Sequence, residues 1–435
     1  MKRKVYKNVD EVVYFTTLKN KMKVYLLYKP GFVEKDAYIV TKFGHFDSVR
    51  KIDIDGKKVK IPWGAAHFLE HRMFSINDVD ATDLFASFGA TCNAYTTYEK
   101  TAYYFSCQKN FYECLNILLT MMSSFTSTEK QIENEKSIIL QEANMYKEDP
   151  NHIINKSIYE QAYIKHPINI DIIGTEETIK NTDHKTLKAI FDTFYDPSNL
   201  TLVVCGDINH IELENYLNEH LIESKNPKKI ALLNINEPNE VKEEFKEITL
   251  STISVPRLAL MYKLPAIKDK YKKDKMYFCY YFILDYLFSS SGKLSEKWLK
   301  SNIISTLVEY SVSSNIDLDC IIFYNITDDV QKVVNAIKDV FSKNSKLNIT
   351  QEEFDDLKKA HYGYTLRAYE SVNGLCSYFV YDLFTSANDY FKEVDEVKTL
   401  TLEDINEAYE NICNAITTYV VLRGEWNERY WNWYC

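Results

Sequence analysis

Two of the nine histidines, His67 and His71, stand four residues apart in Gly64-Ala65-Ala66-His67-Phe68-Leu69-Glu70-His71-Arg72-Met73-Phe74, with Glu70 directly before the second. In a helix the 3.6-residue period places both imidazoles on one face, one turn apart, where they can grip a single zinc ion. Glu70 then lies about 100° round the helix from His71, close enough to reach water at the ion without ligating it. The order H-x-x-E-H inverts the H-E-x-x-H zinc signature. The same spacing also suits a half-buried polar edge of an amphipathic helix, so the reading turns on a third ligand.

A two-histidine zinc site wants a carboxylate or another imidazole, plus one open position. The run Glu133-Asn134-Glu135-Lys136-Ser137-Ile138-Ile139-Leu140-Gln141-Glu142 offers Glu135 and Glu142, seven residues apart. Seven residues are about two helical turns, so both carboxylates share one stripe while Ile138, Ile139 and Leu140 supply core contacts. By themselves two such glutamates equally describe a surface ion-pair stripe.

The elements that must position these groups follow from periodicity. Val12–Phe15, Lys23–Tyr28 and Tyr38–Phe43 are rich in β-branched and aromatic residues, with breaks at Pro30-Gly31 and Gly44, and predict strands. The histidine helix follows, then a short helix over Ala81–Phe88 stopped by Gly89. Asn93–Tyr98 and Thr101–Ser106 predict two strands joined at Glu99-Lys100. Helical periodicity returns over Phe111–Ser124, and Ser127 or Thr128 is placed to cap a helix running to about Met145.

The apolar run Asn199–Asn209, with Gly206 and Asp207, is echoed by Ala415–Asn427, with Gly424 and Glu425, a displacement of 218 between the glycines. Ser127–Ile132 is echoed by Ile349–Phe354 at nearly the same displacement. Two matches in register predict a duplicated domain of about 200 residues. The expected division is 1–222, a polar linker over 223–243 that includes Ser224-Lys225-Asn226-Pro227-Lys228-Lys229, and 244–435. Strands and helices mix without strict βαβ alternation, which predicts an α+β fold. At a displacement of 222 Glu142 falls on Tyr364, and the second copy holds no H-x-x-E-H, so a metal belongs to the first.

Hydrophobic residues make up 46% and charged residues 26% of the 435, an ordinary globular composition. A formal charge of −10 argues against a nucleic-acid partner. The 33 tyrosines read as a compositional bias rather than an aromatic surface. Nine cysteines scattered singly suit free thiols in a reducing compartment. Asp10 and Glu11 interrupt the basic N-terminus before any signal-like apolar run, and no stretch approaches the roughly 20 apolar residues of a membrane span, so a cytoplasmic protein is expected.

His67-Phe68-Leu69-Glu70-His71, Asn93-Ala94-Tyr95-Thr96-Thr97, Glu135 and Glu142 together resemble the pitrilysin/insulinase family of inverted-zincin metallopeptidases, and the length is similar to its processing-peptidase β-type branch. Asp171-Ile172-Ile173-Gly174-Thr175 is also similar to a bacterial branch associated with elongation factor P modification. The resemblance implies two homologous α/β-sandwich domains forming half of a clamshell chamber. It makes His67, His71 and Glu142 the ligands of one Zn2+, Glu70 the general base that takes a proton from water and returns it to the leaving amine, and Glu135 a supporting carboxylate. Asn93, Ala94, Tyr95 and Thr96 become the edge on which a peptide substrate adds as a strand.

The implied function is a zinc endopeptidase or processing peptidase acting on short or unfolded peptides, the catalytic subunit of a dimer. A leader-peptide maturation protease and a non-catalytic subunit are the alternatives, the latter disfavoured because all four metal-site residues are present. Family members place an arginine and a tyrosine near a small-residue loop. Here Ser289–Trp298 contains no arginine, and Tyr310 lies further on. A homologous partner chain is therefore expected to supply that half-site, with a homodimer using Lys297 or Lys300 as the alternative.

Overall fold

The computed structural model describes residues 1–77, 79–225, 227, 230, 235–315, 318–384, 391 and 393–425. They form two compact units, Met1–Ala143 with Ile170–Asn234 and His361–Val394, and Asn144–Asn169 with Ile235–Ala360 and Asp395–Cys435. Asn226, Lys228 and Lys229 of the expected linker lie outside the described residues, as do Trp426, Asn427 and Cys435.

In the first unit, strands β1 (Lys2–Tyr6), β2 (Glu11–Thr17), β3 (Lys23–Tyr28) and β4 (Lys35–Thr41) precede two small hairpins, β5 (Lys51–Ile54) with β6 (Lys57–Lys60) and β7 (Ser75–Ile76) with β8 (Val79–Asp80). β9 (Thr91–Thr96), β10 (Thr101–Cys107) and β11 (Leu200–Gly206) complete a seven-stranded sheet in the order β1-β2-β3-β11-β4-β10-β9. Side-chain polarity explains the order. β11 is apolar on both sides of its pleat and lies inside the sheet, parallel to β3 and antiparallel to β4, buried at every position. β9 carries Thr91, Asn93 and Thr96 and lies at the edge, paired with β10 through Thr96 opposite Thr101 and Ala94 opposite Tyr103. Helices α1 (Ala65–Met73), α2 (Ala81–Ser87), α3 (Phe111–Ser123) and α4 (Glu129–Tyr146) follow the expected order. After them along the chain come α5 (Pro150–Ala162), which belongs to the second unit, and α6 (Glu176–Asn181), α7 (His184–Phe194) and α8 (His210–Glu219) of the first.

In the second unit β12 (Phe245–Thr249), β13 (Arg257–Leu264), β14 (Glu309–Asn315), β15 (Leu318–Ile326) and β16 (Ile416–Arg423) form a sheet in the order β12-β16-β13-β15-β14. That is the order β3-β11-β4-β10-β9 over again, with β12 parallel to β16 as β3 is to β11. Further along the chain come α9 (Lys270–Phe288), α10 (Ser295–Lys300), α11 (Val330–Val340), α12 (Gln351–Ala368), α13 (Val372–Asp382), which belongs to the first unit, α14 (Glu393–Thr399) and α15 (Leu402–Cys413). α4 and α12 are both 18 residues long and start 222 apart, at 129 and 351. The protein is thus an α+β duplication.

The compact units cut across the contiguous division of the duplicated sequence. α5, which follows the long helix of the first half, packs on β13 and β16. α13, its counterpart after α12, packs on β4 and β11, where Leu375, Phe379 and Val380 join Leu27, Tyr38 and Val203 in one core. The eight described cysteines are free, and no helix among the described residues is long and apolar enough to cross a membrane.

Candidate metal centre

α1 begins at a backbone crossing that only glycine permits. Gly64, its N-cap, has φ +83°, and a Cβ there would come within 2.3 Å of the Ile173 carbonyl oxygen. Gly174 answers it with φ +91°, and a Cβ on it would come within 2.5 Å of the Trp63 carbonyl oxygen. Two positive-φ glycines thus let two chain segments touch backbone to backbone. From there Ala65, Ala66, Phe68, Leu69 and Met73 turn one face of α1 into the core, while His67, Glu70 and His71 share the half-buried opposite face.

α4 supplies the carboxylates. Its cap is Thr128 of the two candidates: Thr128 Oγ1 accepts from Gln131 N at 3.3 Å, and Gln131 Oε1 accepts from Thr128 N at 2.7 Å. Ser127 is left to accept from Arg72 Nε at 3.1 Å. Glu142 Oε2 lies 3.6 Å from His67 Nε2 and 3.5 Å from His71 Nε2. These gaps are long for hydrogen bonds, but ligands of one tetrahedral zinc at about 2.0–2.1 Å stand about 3.4 Å from each other. His67, His71 and Glu142 are the one group of three among the described residues whose donor atoms could hold a metal, all within 4.8 Å of one another. Two imidazoles and a carboxylate are also a donor set that suits zinc.

Glu135, two turns before Glu142, is buried and turns elsewhere. Its Oε1 meets His71 Nδ1 at 3.0 Å and its Oε2 accepts from Arg72 Nη1 at 2.7 Å. A carboxylate on Nδ1 fixes the imidazole so that Nε2 is presented to the metal position. Electrostatics agree with a cation there. Burial holds His67 neutral, with its pKa down at about 4, the form a metal ligand needs. Burial would lower His71 too, yet Glu135 and Glu142 raise it to about 9, so without a cation the two carboxylates draw a proton between them. The expected core role of Ile138 is corrected: Ile139 is buried, but Ile138 is 53% exposed, because it lies on the side of the carboxylate stripe away from Ile132 and Ile139.

Glu70 stands beside this trio and belongs to no ligand group. Burial raises its pKa, and the Thr96 hydroxyl donates to its Oε2. Asn93, Ala94 and Tyr95 lie on the edge strand β9, with Asn93 exposed and Asn93 Oδ1 accepting from Ala94 N at 2.8 Å. Thr96 ends the same strand but is engaged with Glu70. In the second unit α10 covers the end of Ser289–Trp298 with Ser295 and Trp298 buried, and the Tyr310 hydroxyl donates to Asp285 Oδ1 at 3.0 Å. The contacts of Arg72 with Ser127 and Glu135, and that of Thr96 with Glu70, went unread in the sequence. Arg72 directly follows the motif, but its partners lie 55 and 63 residues away, and no local pattern announces them.

Two homologous α+β units, the first bearing a His-His-Glu cluster with Glu70 beside it, define the architecture of an inverted-motif metallopeptidase. Residues 60–176 match the family described as Insulinase (Peptidase family M16), and residues 181–361 match the Peptidase M16 inactive domain. The chain belongs to the M16 insulinase family. It is 28% identical over 414 residues to the uncharacterized zinc protease YmfH of Bacillus subtilis, covering 93% of this chain and 95% of that protein. Over 166 residues it is 30% identical to the mitochondrial-processing peptidase subunit beta of Bos taurus, covering 37% of this chain and 34% of that one. An M16-like peptidase from Alicyclobacillus acidocaldarius has the same fold, with a TM-score of 0.86 at 24% identity over 95% of this chain and 99% of that chain.

Proposed function

We propose that this chain is a zinc-dependent endopeptidase of the processing kind that cleaves short or unfolded peptides. One observation carries the reading: His67, His71 and Glu142 stand at the mutual distances of ligands around one metal, with Glu70 next to them and outside the ligand set. Zinc held there would act as a Lewis acid and lower the pKa of water. The residues do the rest. Glu70, its carboxylate held by Thr96, takes the proton of the attacking water and delivers it to the leaving amine. Glu135 keeps the Nδ1 proton of His71 in place through the cycle. The edge of β9 receives the peptide as an added strand, with Asn93, Ala94 and Tyr95 beside it.

A homologous partner chain completes the catalytic surface in this reading. Its support is the related β subunit of a processing peptidase and the lack of arginine in Ser289–Trp298. Free thiols throughout the described residues support a reducing, cytoplasmic setting.

Purified chain should carry about one zinc, removable by a chelator. Glu70→Gln should retain the metal while cleavage of a quenched fluorescent peptide falls by about 10²–10⁴-fold. Zinc-free protein after metal-replete expression, or a fully active Glu70→Gln variant, would refute the proposal.

A further inference from the structure

Thr96 closes the edge strand β9, and its hydroxyl donates to Glu70 Oε2. The Thr101 hydroxyl lies 3.4 Å from it, on the residue opposite in the β9–β10 register. Each hydroxyl has a single hydrogen to give. That of Thr101, a fully buried residue, goes to the Phe43 carbonyl at 2.9 Å. Thr101 therefore has no hydrogen to give Thr96 and does not compete for its place on Glu70. Thr96 gives its own hydrogen to the carboxylate. The Thr96 hydroxyl thus serves Glu70 rather than an incoming peptide.

Taking Glu70 as the base of the proposed reaction, we propose that Thr96 is its positioning residue and not a substrate contact. A glutamate side chain has three rotatable bonds, and a base misplaced by about 1 Å loses on the order of 10²-fold in rate. A bond from a hydroxyl fixed in the β9–β10 ladder opposite Thr101 holds one carboxylate oxygen and leaves the other to meet a proton.

The test uses the full zinc-loaded chain with Thr96→Val, which keeps the shape and removes the donor, and Thr96→Ser, which keeps the donor. Thr96→Val should lower kcat for a fluorescent peptide by about 10–100-fold, with KM and zinc content near wild type. Thr96→Ser should recover most of kcat. A Thr96→Val enzyme with unchanged kcat, or with a raised KM alone, overturns the assignment, the second outcome returning Thr96 to the substrate. Crystal structures of both variants give a readout independent of turnover. Glu70 should leave its place in Thr96→Val and keep it in Thr96→Ser, and a Glu70 unmoved in Thr96→Val overturns the assignment. Wild-type protein that holds zinc but cleaves nothing would instead count against the peptidase reading, and the crystal structures would still decide the role of Thr96.

Discussion

Glu135 is seven residues from Glu142 and on the same helical stripe, yet the two carboxylates do different work. Glu142 faces both imidazoles, and Glu135 is drawn back by Arg72 so that it meets only the far nitrogen of His71. Glu135→Gln should therefore weaken zinc binding by about 10–100-fold without abolishing it, as outer partners of metal ligands do. Competition with a chromophoric chelator measures this, and unchanged affinity would leave Glu135 a purely structural ion pair. A second residue-scale prediction concerns Asp47, which accepts from Gly44 N at 2.9 Å and pairs with Arg50 at 3.0 Å. Burial pushes its pKa up to about 6 from the usual 3.8. A raised carboxyl pKa means that the folded state holds the proton more tightly, so this stabilisation is full below about pH 4 and is lost as pH rises through about 6. The unfolding free energy of wild type relative to Asp47→Asn should fall by on the order of 2–3 kcal/mol across that window. A pH-independent difference in urea unfolding would contradict it.

At the scale of elements, the site depends on how α1 enters. Its start is fixed by the Gly64 and Gly174 crossing, and the histidines follow one turn later. Gly174→Ala should destabilise the protein by about 2–3 kcal/mol, from a strained positive φ and a backbone clash, and lower zinc occupancy with it. Urea unfolding with metal analysis checks both; a variant with wild-type stability would show that the crossing relaxes freely. The end of β9 was legible as a strand next to the motif, and its edge position agrees with its polar residues. The link from Thr96 to Glu70 was not, because it joins residues 26 apart through the packing of a helix on a sheet.

Across the whole molecule the duplication explains both symmetry and difference. The second sheet repeats five of the seven strands of the first in the same order, and α12 repeats α4, but Tyr364 stands 72% exposed where α4 has Glu142. The helices after α4 and α12 are exchanged between units. A fragment ending at residue 222 would lack α13 and leave Leu27, Tyr38 and Val203 without their cover. Such a fragment should show no cooperative unfolding by circular dichroism, and coexpression with residues 223–435 should restore it. A stable, cooperatively folding fragment would mean that α13 is dispensable.

The sequence by itself determined what local periodicity controls. Helical spacing brought His67, Glu70 and His71 to one face and put Glu135 and Glu142 on one stripe, β-rich composition placed a strand over Asn93–Tyr98, and two echoes in register revealed the duplication. Tertiary structure alone decided which glutamate meets both imidazoles, that Arg72 holds the other, that Thr96 serves Glu70, and that α5 and α13 change units. Those contacts join residues far apart in the chain, and their geometry comes from how helices pack on sheets, which no short-range pattern of residues encodes.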